Sequence, residues 1–189
     1  MRLRQVEKPF DHPDYLFELK VDGFRAIVYI QDGECKLISR NQNNLRFEPL
    51  KRALAKLPVQ NAIIDGEVVC LDKNGVSQFY QLLNRKGKPI LYAFDLLWLN
   101  GEDLRQQPLI LRKDRLAALV RSADCKSIMY AQHIEQNGKR FFDEICARDL
   151  EGIVAKRKLS IYKNDGHGWL KIKNRSYTQA EGRHELMTR

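Results

Sequence analysis

In Phe17-Glu18-Leu19-Lys20-Val21-Asp22-Gly23, a lysine stands between two carboxylates on a run that alternates like a strand. Alternation puts Phe17, Leu19 and Val21 on one face and Glu18, Lys20 and Asp22 on the other, so the apolar set can bury while the lysine projects into a cleft or into solvent. Gly168-Trp169-Leu170-Lys171-Ile172-Lys173 repeats the pattern, with Leu170 and Ile172 on one face and Trp169, Lys171 and Lys173 on the other. Two lysines side by side repel unless an anion lies between them; phosphate is the natural candidate, and a plain exposed basic strand is the alternative. Carboxylates interrupt apolar runs at Asp65-Gly66-Glu67 and at Asp95. Because an unpaired buried carboxylate is expensive, each must be capped, exposed at a strand end, or given a ligand. In Glu151-Gly152-Ile153-Val154-Ala155-Lys156, Glu151 and Lys156 cannot share a face of one regular strand, and Gly152 can supply a bend before the strand starts.

The elements that must position these residues are short. β-rich runs are expected at Tyr15–Val21, Phe24–Ile30, Cys35–Ser39, Ala62–Leu71, Ile90–Leu99, Gly152–Lys156 and Gly168–Ile172, with hairpin signals at Asp22-Gly23 and Asp32-Gly33. Helical patterns fall at about Glu48–Leu57, Gln78–Asn84, Leu111–Ser122 and Gly138–Arg148, the third with a buried stripe of Leu116, Leu119 and Val120. Strands and helices intersperse without a regular βαβ repeat, which points to an α+β fold with largely antiparallel sheets. Asp72-Lys73-Asn74-Gly75 is a turn and not a calcium loop, since the twelfth position is Leu83 where a glutamate is required.

At 189 residues and 22.1 kDa the chain has the length of one domain, and with no linker or repeat no internal boundary is expected. Hydrophobic residues at 43% exclude a disordered chain, and a net charge of +9 favours a polyanionic partner. Residues 151–189 hold nine Lys/Arg against four Asp/Glu, so over half the excess lies there. With no membrane span or signal peptide visible, a cytoplasmic protein without membrane contact is expected. Cys35, Cys70, Cys125 and Cys146 are scattered as reduced thiols would be, and His12, His133, His167 and His184 form no metal-binding pattern.

Taken in order, Lys20-Val21-Asp22-Gly23 with Arg25, Ser39-Arg40, Asp65-Gly66-Glu67, Tyr92-Ala93-Phe94-Asp95, Glu151 to Lys156 and Lys171-Ile172-Lys173 resemble the ordered motifs of ATP-dependent DNA ligases, most closely the nucleotidyltransferase domain of the bacterial enzymes. One K-x-D-G is a weak match; six pieces in order over residues 18–173 are specific. The resemblance implies two largely antiparallel sheets with packed helices, an ATP-grasp-like nucleotidyltransferase domain holding the nucleotide between the sheets. It implies that Lys20 attacks the α-phosphate of ATP and keeps AMP as a phosphoramidate. Only a neutral amine is nucleophilic, so cations at Lys171 and Lys173 would favour deprotonation and also stabilise charge on the phosphate.

By the same resemblance, Glu18 reads the adenine edge, Leu19 belongs to the nucleotide-binding set, Phe94 stacks on the base, and Arg25, Arg40 and Glu67 grip ribose or phosphates. Lys156 is a further basic position near the nucleotide, and Glu151 and Glu67 are the metal carboxylates, suited to Mg2+ with Mn2+ as substitute. The implied macromolecular substrate is nicked double-stranded DNA. Only 16 residues follow Lys173, so no OB-fold domain is expected in this chain, and residues 174–189 are read as a tail of one domain spanning 1–189. Either the chain is an excised catalytic domain, or it is a minimal protein whose missing groups come from a separate OB-fold or DNA-binding partner or whose first step is slow. RNA ligases and mRNA-capping guanylyltransferases share K-x-D-G and remain alternatives, as does a non-catalytic DNA-binding relic of the fold; an NAD-dependent ligase fits less well, because the segment before Lys20 is short.

Overall fold

The computed structural model describes residues 3–163 and 168–178; His167 and the tail beyond Thr178 lie outside them. In chain order the elements are β1 (Arg4–Gln5), β2 (His12–Leu19), β3 (Phe24–Gln31), β4 (Glu34–Ser39), α1 (Glu48–Leu54), β5 (Asn61–Val69), α2 (Phe79–Leu83), β6 (Ile90–Leu99), β7 (Glu102–Asp103), α3 (Leu109–Ser122), β8 (Ile128–Tyr130), β9 (His133–Gln136), α4 (Gly138–Ala147), β10 (Gly152–Arg157) and β11 (Trp169–Lys173). All the sequence-derived strands and helices are present to within a few residues. The chain forms two compact units, one made of Met1–Val21, Gln132–Arg157 and Asn164–Arg189, the other of Asp22–Ala131 and Lys158–Lys163.

The first unit is built on a sheet ordered β1-β11-β10-β2-β9, antiparallel throughout except where β1 runs parallel to β11. Its alternation separates two faces. Tyr15, Phe17, Ile153, Ala155, Leu170 and Ile172 form one apolar cluster with Ile145 of α4, and Leu19, Phe141 and Phe142 pack against it. Burying those side chains fixes the register, because a slip of one residue would turn every one of them to the other face. The opposite face therefore belongs to Glu18, Lys20, Lys156, Trp169, Lys171 and Lys173. Gly152 opens β10 at φ +141°, and a Cβ there would lie 2.1 Å from the Ile172 carbonyl oxygen. The bend expected at Gly152 is thus real, and only glycine accommodates both the conformation and the close approach of β11.

The second unit holds the larger core. Its sheet is ordered β4-β3-β5-β6-β7, with β8 parallel to β6 and the other pairings antiparallel. Ala26, Val28, Ile30, Leu37, Ile64, Val68, Leu91, Ala93 and Leu96 line one face and meet Leu50 and Leu54 of α1 and Leu116 and Leu119 of α3. Gly23 immediately precedes β3, and a Cβ there would fall 2.2 Å from the Val68 carbonyl oxygen, which explains a glycine at the end of Lys20-Val21-Asp22-Gly23. Helix α3 also buries Arg112 and Lys113 completely. β1, β7, β8 and β9 had no counterpart in the sequence reading.

Candidate active site

In the first unit the strand register assembles three rows across β2, β10 and β11. Leu16, Lys156 and Trp169 stand opposite one another, as do Glu18, Val154 and Lys171. Lys20 donates its backbone N–H to the Gly152 carbonyl at 2.9 Å, extending the ladder one residue past β2, and Gly152 pairs with Lys173. Directly paired residues project to the same side of a sheet. Lys20, Lys171 and Lys173 therefore share one face, with the outer strands of each row about 10 Å apart at the spacing of two neighbouring pairs. Segments 150 residues apart in sequence are brought together by sheet pairing alone.

Lys20, Glu18 and Lys156 on this face are held by ion pairs. The Lys20 ammonium lies 2.8 Å from a Glu151 carboxylate oxygen, and the Gly152 bend turns Glu151 toward it. The Lys156 ammonium lies 2.6 Å from Glu18 and 3.9 Å from the centroid of the Trp169 ring, with all three side chains buried. A buried ion pair backed by an aromatic face fixes the direction of both side chains. Leu19 differs from its expected grouping: its side chain packs with the apolar cluster on the other face and is turned away from Lys20.

The start of the tail has a definite place. Asn174 donates its backbone N–H to the Glu151 carbonyl at 2.9 Å and its side-chain amide N–H to the Leu150 carbonyl at 3.1 Å, while the Thr178 backbone N–H and hydroxyl bond to Asp149. These bonds anchor the loop that carries Glu151. Burial, then the charges of Glu151 and Asp149, push the nearby Tyr177 phenol from 10.0 up to about 12. An unfolded tyrosine ionises near pH 10 while the folded one keeps its proton, so the unfolded state binds fewer protons and stability falls as pH rises from about 10 to about 12. Parent protein should lose thermal stability over that interval more steeply than Tyr177→Phe; identical pH profiles would contradict this.

In the second unit, β3 and β5 set Arg25 directly opposite Glu67. Arg25 donates to both carboxylate oxygens of the fully buried Asp65, at 3.0 and 2.7 Å, and the Tyr162 hydroxyl donates to Asp65 at 2.8 Å. Burial opposes the Arg25 charge, but the attraction and hydrogen bonds of Asp65 outweigh it, so the guanidinium pKa lies above its ordinary value. Burial, then Asp65, raises the Tyr162 phenol far above its usual range. Phe94 is the extra residue where the β5–β6 register shifts between Asp65 and Gly66, and the Arg25 guanidinium carbon lies 5.7 Å from its ring centroid. A bulge of this kind re-aims one side chain out of the regular alternation. Arg40 is exposed just after β4, on the turn where Ser39 accepts the Asn43 backbone N–H.

The two intrusive carboxylates are satisfied inside the protein. Asp65 holds Arg25 and Tyr162; Asp95 receives two hydrogen bonds of 2.8 Å from Arg112 and caps the Leu96 N–H at 2.9 Å. Arg112 in turn donates to the carbonyls of Gln107 and Ser160, and Lys113 donates to the Ala131 carbonyl at 3.0 Å. Sequence reasoning missed Arg112, Lys113, Tyr162, Asn174 and Tyr177. The carboxylates at 65 and 95 were the available signal that buried cations or hydroxyls must exist, but not which ones.

Among the described residues no three His, Cys, Asp or Glu side chains converge on a metal position. A divalent cation would therefore draw on one or two carboxylates and complete its shell from phosphate and water. That donor set suits Mg2+, which keeps several waters and substrate oxygens.

The chain is similar to known proteins over most of its length. A family model described as ATP dependent DNA ligase domain matches residues 2–173. The multifunctional non-homologous end joining protein LigD of Pseudomonas aeruginosa is 35% identical over 176 residues, covering 89% of this chain and 21% of that protein. The SPbeta prophage-derived DNA ligase-like protein LigB of Bacillus subtilis is 29% identical over 187 residues, covering 95% of this chain and 68% of the relative. A solved structure of mycobacterial DNA ligase D complexed with ATP and MES superposes with a TM-score of 0.76 at 28% identity, over 91% of this chain and 60% of that one. The chain thus spans about a fifth of the LigD protein and three-fifths of the ligase D structure. Its motifs, its two mostly antiparallel sheets and the match over residues 2–173 place it in one family: the chain belongs to the ATP-dependent DNA ligase domains, as their nucleotidyltransferase part.

Proposed function

We propose that this domain adenylates itself on Lys20 and passes the AMP to the 5′-phosphate of a nick in DNA. The observation that carries the proposal is the strand register that sets Lys20, Lys171 and Lys173 on one face of one sheet. The neutral Lys20 amine forms a bond to the α-phosphorus of ATP, the bond to the bridging oxygen breaks, pyrophosphate leaves, and the proton lost by the amine passes to solvent water or to the departing pyrophosphate. Lys171 and Lys173 supply positive charge where the α-phosphate oxygens gain negative charge. In the following steps the 5′-phosphate displaces Lys20 from the AMP, and the 3′-hydroxyl displaces AMP to seal the strand.

Glu18 and Lys156 form the adenine end of the site, with Lys156 holding the carboxylate in one direction. Arg25, Arg40 and Glu67 contact ribose or phosphates and Phe94 stacks on the base; Asp65 and Tyr162 position Arg25. Glu151 and Glu67 offer carboxylates for Mg2+, with Mn2+ able to substitute, and such a cation neutralises phosphate charge. Before nucleotide binds, Glu151 holds the Lys20 ammonium in place. In this reading both compact units act as a single nucleotidyltransferase domain, and an OB-fold or DNA-binding unit, on the same polypeptide or on a partner, completes nick sealing.

The net charge of +9 supports a nucleic-acid substrate, since lysines and arginines gain affinity by releasing counterions from the backbone. With α-labelled nucleotides and magnesium, label from ATP should enter the protein and label from GTP should not. The loaded protein should then pass AMP to a DNA nick in preference to an RNA nick. Labelling by GTP, or preference for RNA, would instead identify the capping or RNA-ligase chemistry.

A further inference from the structure

A second basic site lies in the Asp22–Ala131 unit, and none of its lining residues is among those assigned above. A cavity of about 240 Å3 is lined by Arg46 and Arg85 with Phe47, Pro49, Cys70 and Pro89, and has no carboxylate in its wall. Among the described residues, the Arg46 and Arg85 side chains have no hydrogen bond, ion pair or ring contact. Glu48, the acidic residue nearest in sequence to Arg46, is engaged with Lys51 at 2.9 Å. Arg85 follows the end of α2 at φ +56°, and Lys86 and Lys88 extend the charge along the same exposed turn. Gly87 brings this turn against the cavity floor, where a Cβ would lie 2.6 Å from the Cys70 sulfur.

Two planar guanidiniums beside one cavity are matched to a phosphate, which accepts paired N–H bonds from each. The floor of Phe47, Pro49 and Pro89 is apolar and suits a sugar lying next to that phosphate. Two cations at the cavity with two more on the adjoining turn exceed what one small anion can neutralise and fit a repeating polyanion. We infer that the Arg46–Arg85 cavity seats a backbone phosphate of the DNA strand, with Lys86 and Lys88 against its neighbours. This rests on the proposed DNA substrate and adds an anchoring position outside the nucleotide site. Such a contact positions the duplex without reading its sequence.

The test is fluorescence anisotropy of a labelled nicked duplex between about 50 and 200 mM salt. Arg46→Ala/Arg85→Ala should raise Kd at least about ten-fold at the lower salt and reduce the log–log salt slope by about 1 to 2, on the scale of about one per phosphate contact. Arg105→Ala/Arg115→Ala removes the same charge from cations already paired with Asp103 and Glu102, and should have a clearly smaller effect. Equal losses in both variants, no loss in the first, or a first variant that loses only inorganic phosphate affinity would overturn the inference. If the double variant melts early, Arg85→Glu alone must still weaken binding, and parent-like affinity there overturns the inference too. A parent that takes up AMP yet shows no DNA affinity refutes this site alone. A parent that takes up no AMP refutes the ligase reading instead.

Discussion

Lys171→Ala is expected to slow transfer of AMP to the protein by about 100- to 1,000-fold, the scale seen when one preorganised donor to a developing oxyanion is removed. Lys171 stands in the same row as Glu18, across Val154, so its ammonium lies on the face from which Lys20 projects. If it acts on charge that develops during transfer, the rate constant at saturating ATP falls much more than ATP affinity does. Single-turnover adenylation over a range of ATP concentrations separates the two. Equal losses in rate and affinity would mean that Lys171 merely binds the triphosphate, and unchanged values would remove it from the site. Lys173 should show the same split, because it holds the row that contains Lys20.

The other large effect concerns stability. Lys156→Met leaves the buried Glu18 carboxylate without the cation 2.6 Å away, a change that typically costs about 3–5 kcal/mol. For a chain of this size that lowers the melting midpoint by about 6 to 20 °C. Adding Glu18→Leu to Lys156→Met should restore much of the midpoint, because replacing both members of a buried ion pair by apolar groups is often neutral. The double variant should nonetheless bind ATP poorly, since its adenine end has lost both polar side chains. Thermal melts with ATP titrations on the single and double variants check this. A stable single variant would show that the pair does not hold the first unit together, and full ATP affinity in the double variant would remove Glu18 and Lys156 from the nucleotide site.

The parts that were legible from sequence share one physical feature: the information is local. Alternation in Phe17–Lys20 and in Leu170–Lys173 assigned both faces of the first sheet, because an apolar face must bury and drags its polar neighbours to the other side. Ile90–Leu99 was bounded without error, since a central strand reads as a long apolar run. β1, β7, β8 and β9 are two to four residues long and carry too few side chains for a pattern, so only pairing with a distant strand defines them. Arg112 and Lys113 read as ordinary exposed charges on a helix; their burial depends on Asp95 and the Ala131 carbonyl, which the helix pattern cannot reveal. Tyr162 and Asp65 are 97 residues apart, and no spacing rule joins them.

Asp95 shows the limit in the other direction. A carboxylate within an apolar run could have been a ligand for metal or substrate; two hydrogen bonds from Arg112 and one from its neighbour's N–H make it a structural anchor. Glu151 was the opposite case. Its parity relative to Lys156 excludes a shared face of one regular strand and calls for a bend at Gly152, and the positive φ there supplies it, with Glu151 reaching Lys20 from before the strand. A glycine next to a charged residue at a strand entrance therefore deserves to be read as a change of direction, not as a gap in the pattern.

The most direct test of the account is intact-mass analysis after incubation with ATP and magnesium, followed by peptide mapping, for parent protein and Lys20→Ala. The parent should gain the mass of one AMP, carried by the peptide that contains Lys20, and Lys20→Ala should gain none. An adduct of equal yield in both, or one mapped to another lysine, would show that Lys20 is not the nucleophile.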